Sequence, residues 1–250
     1  VIPYDSHNRE ERALCSHLFR LLHESLATSP ESSPLQHVLS LLQPRLSFTA
    51  AQPMLSAVGA SIFAEVALIR DAYHHRKPNV FPFMDALVEL VREQEQVPEA
   101  RPYSALPDEL RDPGRIHPKQ IAQKGKDRGL LGLNDQRVYG AIQGMFNAKP
   151  DLAIVLPSCF ILVEAKLTQT FDSAQMARSH RIAEVWSRLL FADLGYVAPP
   201  PYAVARLGGA RGADLTWQEV HELATRTYSE CDRTRIALDH AVALLARVTK

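Results

Sequence analysis

Two apolar runs set the frame for any fold of this chain: Leu152-Ala153-Ile154-Val155-Leu156 and Phe160-Ile161-Leu162-Val163, parted only by Pro157-Ser158-Cys159. Both are short, rich in β-branched and aromatic residues and separated by a proline-led break, the pattern of a β-hairpin. Neither run alternates polar with apolar residues, so both faces of the hairpin are expected to be covered. Charged residues bracket the pair, with Pro150-Asp151 opening it and Glu164-Ala165-Lys166 closing it. Charges at the ends of strands buried on both faces are costly unless something pairs with them, and a divalent cation is a natural partner. A turn centred on Pro157-Ser158 sets Asp151 opposite Glu164, with Cβ atoms roughly 5 Å apart. The strand period of two then puts Lys166 on the Glu164 face, one step along.

This arrangement suits hydrolysis of a phosphodiester. Two carboxylates are hard oxygen ligands for Mg²⁺ or Mn²⁺, ions that keep several waters and tolerate substrate phosphate oxygens. The Ala165 carbonyl could add a ligand. The Lys166 ammonium can orient or help deprotonate the attacking water, or neutralise charge building in the transition state. Pro150-Asp151, twelve intervening residues and Glu164-Ala165-Lys166 together resemble the signature of the PD-(D/E)xK nuclease superfamily, which includes many restriction endonucleases, repair nucleases and resolvases. The resemblance spans about residues 148–208, where the hairpin is followed by a helix and a further strand, the order that fold requires. It implies an α/β protein with a restriction-endonuclease-like mixed central sheet flanked by helices, carrying helical N-terminal additions. Catalysis would rest on Asp151, Glu164 and Lys166, with Asp151 and Glu164 as ligands of Mg²⁺ or Mn²⁺ and a nucleic acid, DNA first, as substrate.

The same resemblance implies a glutamate contributed by an early helix. Glu11 and Glu65 both fall on apolar helical stripes. Helix-dipole stabilisation accounts for Glu11 equally well, and an arginine ion pair would account for Glu65. Gln175, nine positions after Lys166, stands where related nucleases place a polar residue reaching toward the site, although a solvated glutamine is the commoner outcome. Four positions further stands Ser179 rather than tyrosine, so the exonuclease branch marked by that tyrosine is not supported.

With 250 residues, an ordinary apolar fraction and a formal net charge of zero, the chain is globular, and any nucleic-acid contact has to come from a local basic groove. Cys15, Cys159 and Cys231 are widely spaced and form no CxxC, which argues against a disulfide framework or zinc site. No apolar stretch reaches the ~18 residues of a membrane span and no signal peptide is visible, so a reducing, cytoplasmic setting without membrane association is expected. A homodimer or a partner protein is compatible with everything above.

Along the chain, residues 1–97 read as a helical part packing on the core. Its helices start near Ser6, at 35–42, at 51–73 with Glu65 mid-helix, and from Val80 or Phe83 to Glu95. Residues 98–135, broken by Pro98, Pro102, Pro107, Pro113 and Pro118, read as an irregular surface excursion. Residues 136–210 read as the nuclease-like α/β core that the resemblance implies. Within it 138–146 fits either a helix or the first strand, 171–193 a long helix ended near Gly195, and 202–207 a further strand. Residues 211–250 carry two helices, the first announced by the capping box Thr216/Glu219.

Lys124, Lys126 and Arg128, with Arg178, Arg181 and Arg188 downstream, are the candidate phosphate contacts, joined by Arg206 and Arg211 at the last strand. Each taken alone could equally be a solvated basic face. His74-His75 with Arg76 and Lys77 could touch phosphate or simply end a helix favourably, the commoner case. No H-x-x-x-H or H-E-x-x-H, P-loop or G-x-G-x-x-G is present, which leaves zinc hydrolases and nucleotide-driven enzymes without a motif. Two functions remain: a metal-dependent endodeoxyribonuclease of restriction, defence or repair, and a catalytically silent nuclease-like fold serving as a nucleic-acid-binding or assembly module.

Overall fold

The hairpin expected from the two apolar runs is present in the computed structural model of the protein, which describes residues 4–112, 114–168, 170–209 and 212–248, the side chains of 4–11 and 248 excepted. In chain order the described elements are α1 (Tyr4–His23), α2 (Pro34–Leu42), β1 (Ser61–Ala64), α3 (Leu68–His75), α4 (Phe81–Glu95), α5 (Asp108–Arg111), α6 (Ile121–Asp127) and α7 (Leu133–Asn147). They continue with β2 (Leu152–Val155), β3 (Phe160–Ala165), α8 (Ser173–Leu189), β4 (Tyr202–Gly208), β5 (Leu215–Thr216), α9 (Trp217–Thr227) and α10 (Arg233–Val248). The five strands form one mixed sheet in the order β1-β2-β3-β4-β5. The first two pairings are antiparallel and the last two parallel. α8 lies on the connection between the parallel neighbours β3 and β4, as parallel strands require. The protein is therefore α/β.

The chain divides into two compact units. The first comprises residues 1–66, 150–180 and 200–250, and the second 67–149 and 181–199.

In the first unit every residue of β2 and β3 is buried. Alternation sends Leu152, Ile154, Ile161, Val163, Ala165, Ala203, Ala205 and Leu207 into one apolar core with Leu14, Leu18, Leu22, Val38, Leu39, Leu42, Val220 and Leu238. The opposite face carries Phe160 and Tyr202, whose rings stack at 5.7 Å. β-strand period thus assigns Glu164 and Arg206, register partners on β3 and β4, to that second face. The capping box at α9 is complete: Glu219 N–H donates to Thr216 Oγ1 at 3.2 Å and Thr216 N–H to Glu219 Oε2 at 2.8 Å.

The second unit is helical. Proline-broken residues 98–135 do lack a long helix, but they are no solvated excursion: Tyr103, Leu106, Leu110, Ile116, Ile121 and Leu131 are buried. Gly125 of α6 is set so close to Leu131 that a Cβ would fall 2.3 Å from its side chain. Asp135, 6% exposed, accepts from Arg101 N at 2.7 Å, Nε at 2.9 Å and Nη2 at 2.7 Å, while Tyr139 donates to the Arg101 carbonyl at 2.9 Å. This network ties the segment between α4 and α5 to the first two turns of α7.

One expectation fails clearly. Residues 51–73 are not one helix. They hold a stretch with Gly59 at φ +72°, then β1, then α3 beginning only at Leu68. The Val58/Ile62/Leu68/Ile69 spacing satisfied a helical template, yet the outer edge of β2 has backbone groups that need partners. β1 supplies them, and Glu65 N–H extends the ladder to Asp151 O at 3.2 Å. Glu65 is therefore no helical residue; it follows a strand at φ +49°. Residues 138–146, left open between helix and strand, belong to α7.

No helix among the described residues is long and apolar enough to cross a membrane. Cys15 and Cys159 are buried and Cys231 exposed, and none forms a disulfide among the described residues.

Candidate functional site

β2 and β3 pair with Leu152 opposite Val163 and Val155 opposite Phe160. Carried one residue further, that register puts Asp151 across from Glu164, as the turn centre at Pro157-Ser158 implied. The turn itself closes with Leu156 N–H donating to Cys159 O at 2.9 Å. Asp151 is half-buried, and its Oδ2 accepts the Ala165 N–H at 2.7 Å. The aspartate is thereby fastened to the residue between the acid and the lysine.

Glu164 is 5% exposed. Both of its oxygens are held from α8: Ser179 Oγ donates to Oε1 at 2.6 Å and Gln175 Nε2 to Oε2 at 2.9 Å. Gln175 and Ser179 are one helical turn apart, so they present to the same place. Burial pushes the Glu164 carboxyl above its ordinary range; the Ser179 and Gln175 hydrogen bonds, then the Lys166 and Arg178 charges, pull it partly back. Lys166 is anchored through its main chain, its N–H donating to Leu207 O at 2.8 Å and its carbonyl accepting Trp217 Nε1–H at 2.9 Å.

A carboxyl whose folded pKa is raised stabilises the fold fully below its unfolded pKa, and that contribution is lost as pH rises through the folded value. Glu164→Gln removes the ionisation while keeping an acceptor for Gln175 and a donor for Ser179. In EDTA, the melting temperature of this variant relative to the parent should therefore climb as pH is raised from the ordinary carboxylate range toward neutrality. A difference that stays flat in melts from pH 4 to 8 would show that Glu164 titrates as an ordinary carboxyl.

Other candidates separate. Glu65 sits beside Asp151 through its main chain, but its half-exposed carboxylate lies 3.7 Å from Arg12 Nε. The arginine pairing, not a helix position, is what the geometry gives it. The Glu11 side chain lies outside the described residues. Gln175 is at the site as expected. Arg178 is near enough to act on Glu164 electrostatically. Arg181 is held by buried Glu95 at 2.7 Å, Arg188 by Glu93 at 2.8 Å, and Arg206 by Asp214 at 3.0 Å, so these three charges already have carboxylate partners. Lys124 and Lys126 lie in α6 and Arg128 caps its end, all in the second unit. Arg211 lies outside the described residues.

The sequence reading missed two contributors. In the sequence Ser179 stands out only as the residue where a tyrosine would be, though its i,i+4 relation to Gln175 points to a shared target. Trp217 gave no signal at all, because its bond to Lys166 links positions far apart in the chain.

The donor set fits a hard divalent cation. It offers two carboxylates and no sulfur or imidazole, and Mg²⁺ is ordinarily held by one or two carboxylates plus waters. Glu164, buried and pushed toward protonation, is the kind of group a cation would return to its charged form. Each of its oxygens has further lone-pair capacity beyond one hydrogen bond. A cage made wholly of protein is not available: the described residues contain no group of three or more His, Cys, Asp or Glu able to hold a metal.

No protein-family model, curated protein or solved structure matches this chain.

Proposed function

We propose that this protein is a divalent-metal-dependent nuclease with a restriction-endonuclease-like core. It hydrolyses phosphodiester bonds in nucleic acid, DNA in the first instance, in restriction, defence or repair. The observation that carries this reading is the hairpin register, which opposes Asp151 to Glu164 with Lys166 two residues beyond the glutamate. Asp151 and Glu164 hold the cation. When bound, Mg²⁺ or Mn²⁺ supplies Lewis acidity toward a phosphate oxygen. Lys166 orients the attacking water and offsets charge building on the phosphoryl group. Gln175 holds Glu164, and Arg178 adds positive potential beside it. Lys124, Lys126 and Arg128 are assigned to backbone phosphates, which position a nucleic acid without reading its sequence.

Nicking of supercoiled plasmid tests the proposal. Nicked and linear products should form with Mg²⁺ or Mn²⁺ and disappear with EDTA or in Asp151→Ala, which loses cation binding and cleavage together. Cleavage that survives both treatments would remove the carboxylate pair from the chemistry. A second reading is a nuclease-like fold that binds or assembles without cutting. It predicts plasmid binding in EDTA and no products with either metal.

A further inference from the structure

Ser179 is 2% exposed, and its hydroxyl makes its 2.6 Å bond to Glu164 Oε1 in a place water does not reach. The same oxygen lies 3.2 Å from the Gln175 carbonyl one turn back in α8. A serine hydroxyl has a single proton to donate, and the shorter distance assigns it to the glutamate. Gln175 meets the other carboxylate oxygen at 2.9 Å. Glu164 is thus gripped at both oxygens by one face of one helix. Its strand neighbours on either side are Val163 and Ala165, both facing the opposite core, and both side-chain hydrogen bonds described for the carboxylate come from α8.

The two grips differ in kind. Gln175 is half-buried with a long side chain that can swing into solvent; Ser179 is short, fully enclosed and fixed to the helix backbone. Loss of Gln175 can be made good by water. Loss of Ser179 leaves a buried oxygen without its donor and lets the glutamate rotate away from Asp151. We infer that Ser179 is a positioning residue of the carboxylate pair, fixing the Glu164 rotamer so that both acids can share one divalent cation. This rests on the nuclease reading above and deepens it: the cation's affinity is set from α8 as well as from the hairpin.

Partners that orient a ligating carboxylate typically contribute about 10–100-fold in metal affinity. Isothermal titration with Mn²⁺ of the parent, Ser179→Ala, Ser179→Cys and Ser179→Thr tests the inference, beside anisotropy of a labelled duplex in EDTA. Ser179→Ala and Ser179→Cys, which lack a strong donor, should bind Mn²⁺ roughly 10–100-fold more weakly. Ser179→Thr, which keeps the hydroxyl, should bind within a few-fold of the parent. Duplex affinity in EDTA should be the same for all, as should the far-ultraviolet circular dichroism. Parent-like Mn²⁺ binding by the alanine and cysteine variants overturns the inference and leaves the nuclease reading standing. So does a threonine variant that folds normally yet binds as weakly as alanine, because packing rather than the hydroxyl would then be responsible. A parent that binds no Mn²⁺, indistinguishable from Asp151→Ala, overturns the nuclease reading and the inference together.

Discussion

Lys166→Ala should lower cleavage by roughly 10²–10⁴-fold while leaving Mn²⁺ affinity within a few-fold of the parent. The two effects separate because an ammonium repels a divalent cation rather than ligating it. On the proposed reading Asp151→Ala and Glu164→Ala, which each remove a carboxylate from the ion, should lose binding and cleavage together. The backbone at Lys166 is held independently of its side chain, by Leu207 O at 2.8 Å and Trp217 Nε1 at 2.9 Å, so truncation should not displace the strand end. Lys166→Arg should rescue poorly, since guanidinium is planar and stays protonated. Single-turnover cleavage beside Mn²⁺ titration measures both quantities. Unchanged cleavage in Lys166→Ala would make the lysine a bystander and the motif accidental.

Trp217→Ala is expected to cost the most stability. The indole is fully buried at the start of α9 and belongs to the apolar core under the sheet. Truncating a buried tryptophan typically costs about 3–5 kcal/mol, which for a chain of this size lowers Tm by roughly 6–20 °C. Trp217→Phe isolates the polar part: most of the buried ring remains, but the Lys166 carbonyl loses its donor, worth about 1–3 kcal/mol if no water replaces it. Thermal melts of the two variants should therefore be ordered parent, phenylalanine, alanine. An alanine variant that melts with the parent would show that the indole is not part of the packed core.

Much of the first unit could be read along the chain because its signals are local. The hairpin is announced by two apolar runs around Pro157-Ser158, and the register follows from the turn centre alone. The start of α9 is marked by Thr216 and Glu219, whereas α8 stops at Leu189 and Gly195, at φ +87°, caps the separate 3-10 turn Ala192–Leu194, so the long helix ends earlier than that glycine suggests. Basic clusters are less legible: a list of arginines does not say which of them already face a carboxylate, as Arg181 faces Glu95 and Arg206 faces Asp214.

By itself, then, the sequence determined the hairpin, the opposition of Asp151 to Glu164 and the helical crossover to β4, since each depends on spacing within a short stretch. Tertiary structure alone decided that residues 61–64 are a strand, because the demand they satisfy comes from the open edge of β2, far away in the chain. It also decided that Glu65 faces Arg12 and that Ser179 and Trp217 support Glu164 and Lys166. Local periodicity reports which face of an element is apolar. Which distant backbone edge needs a partner, and which buried oxygen needs a donor, is settled only when the chain closes on itself.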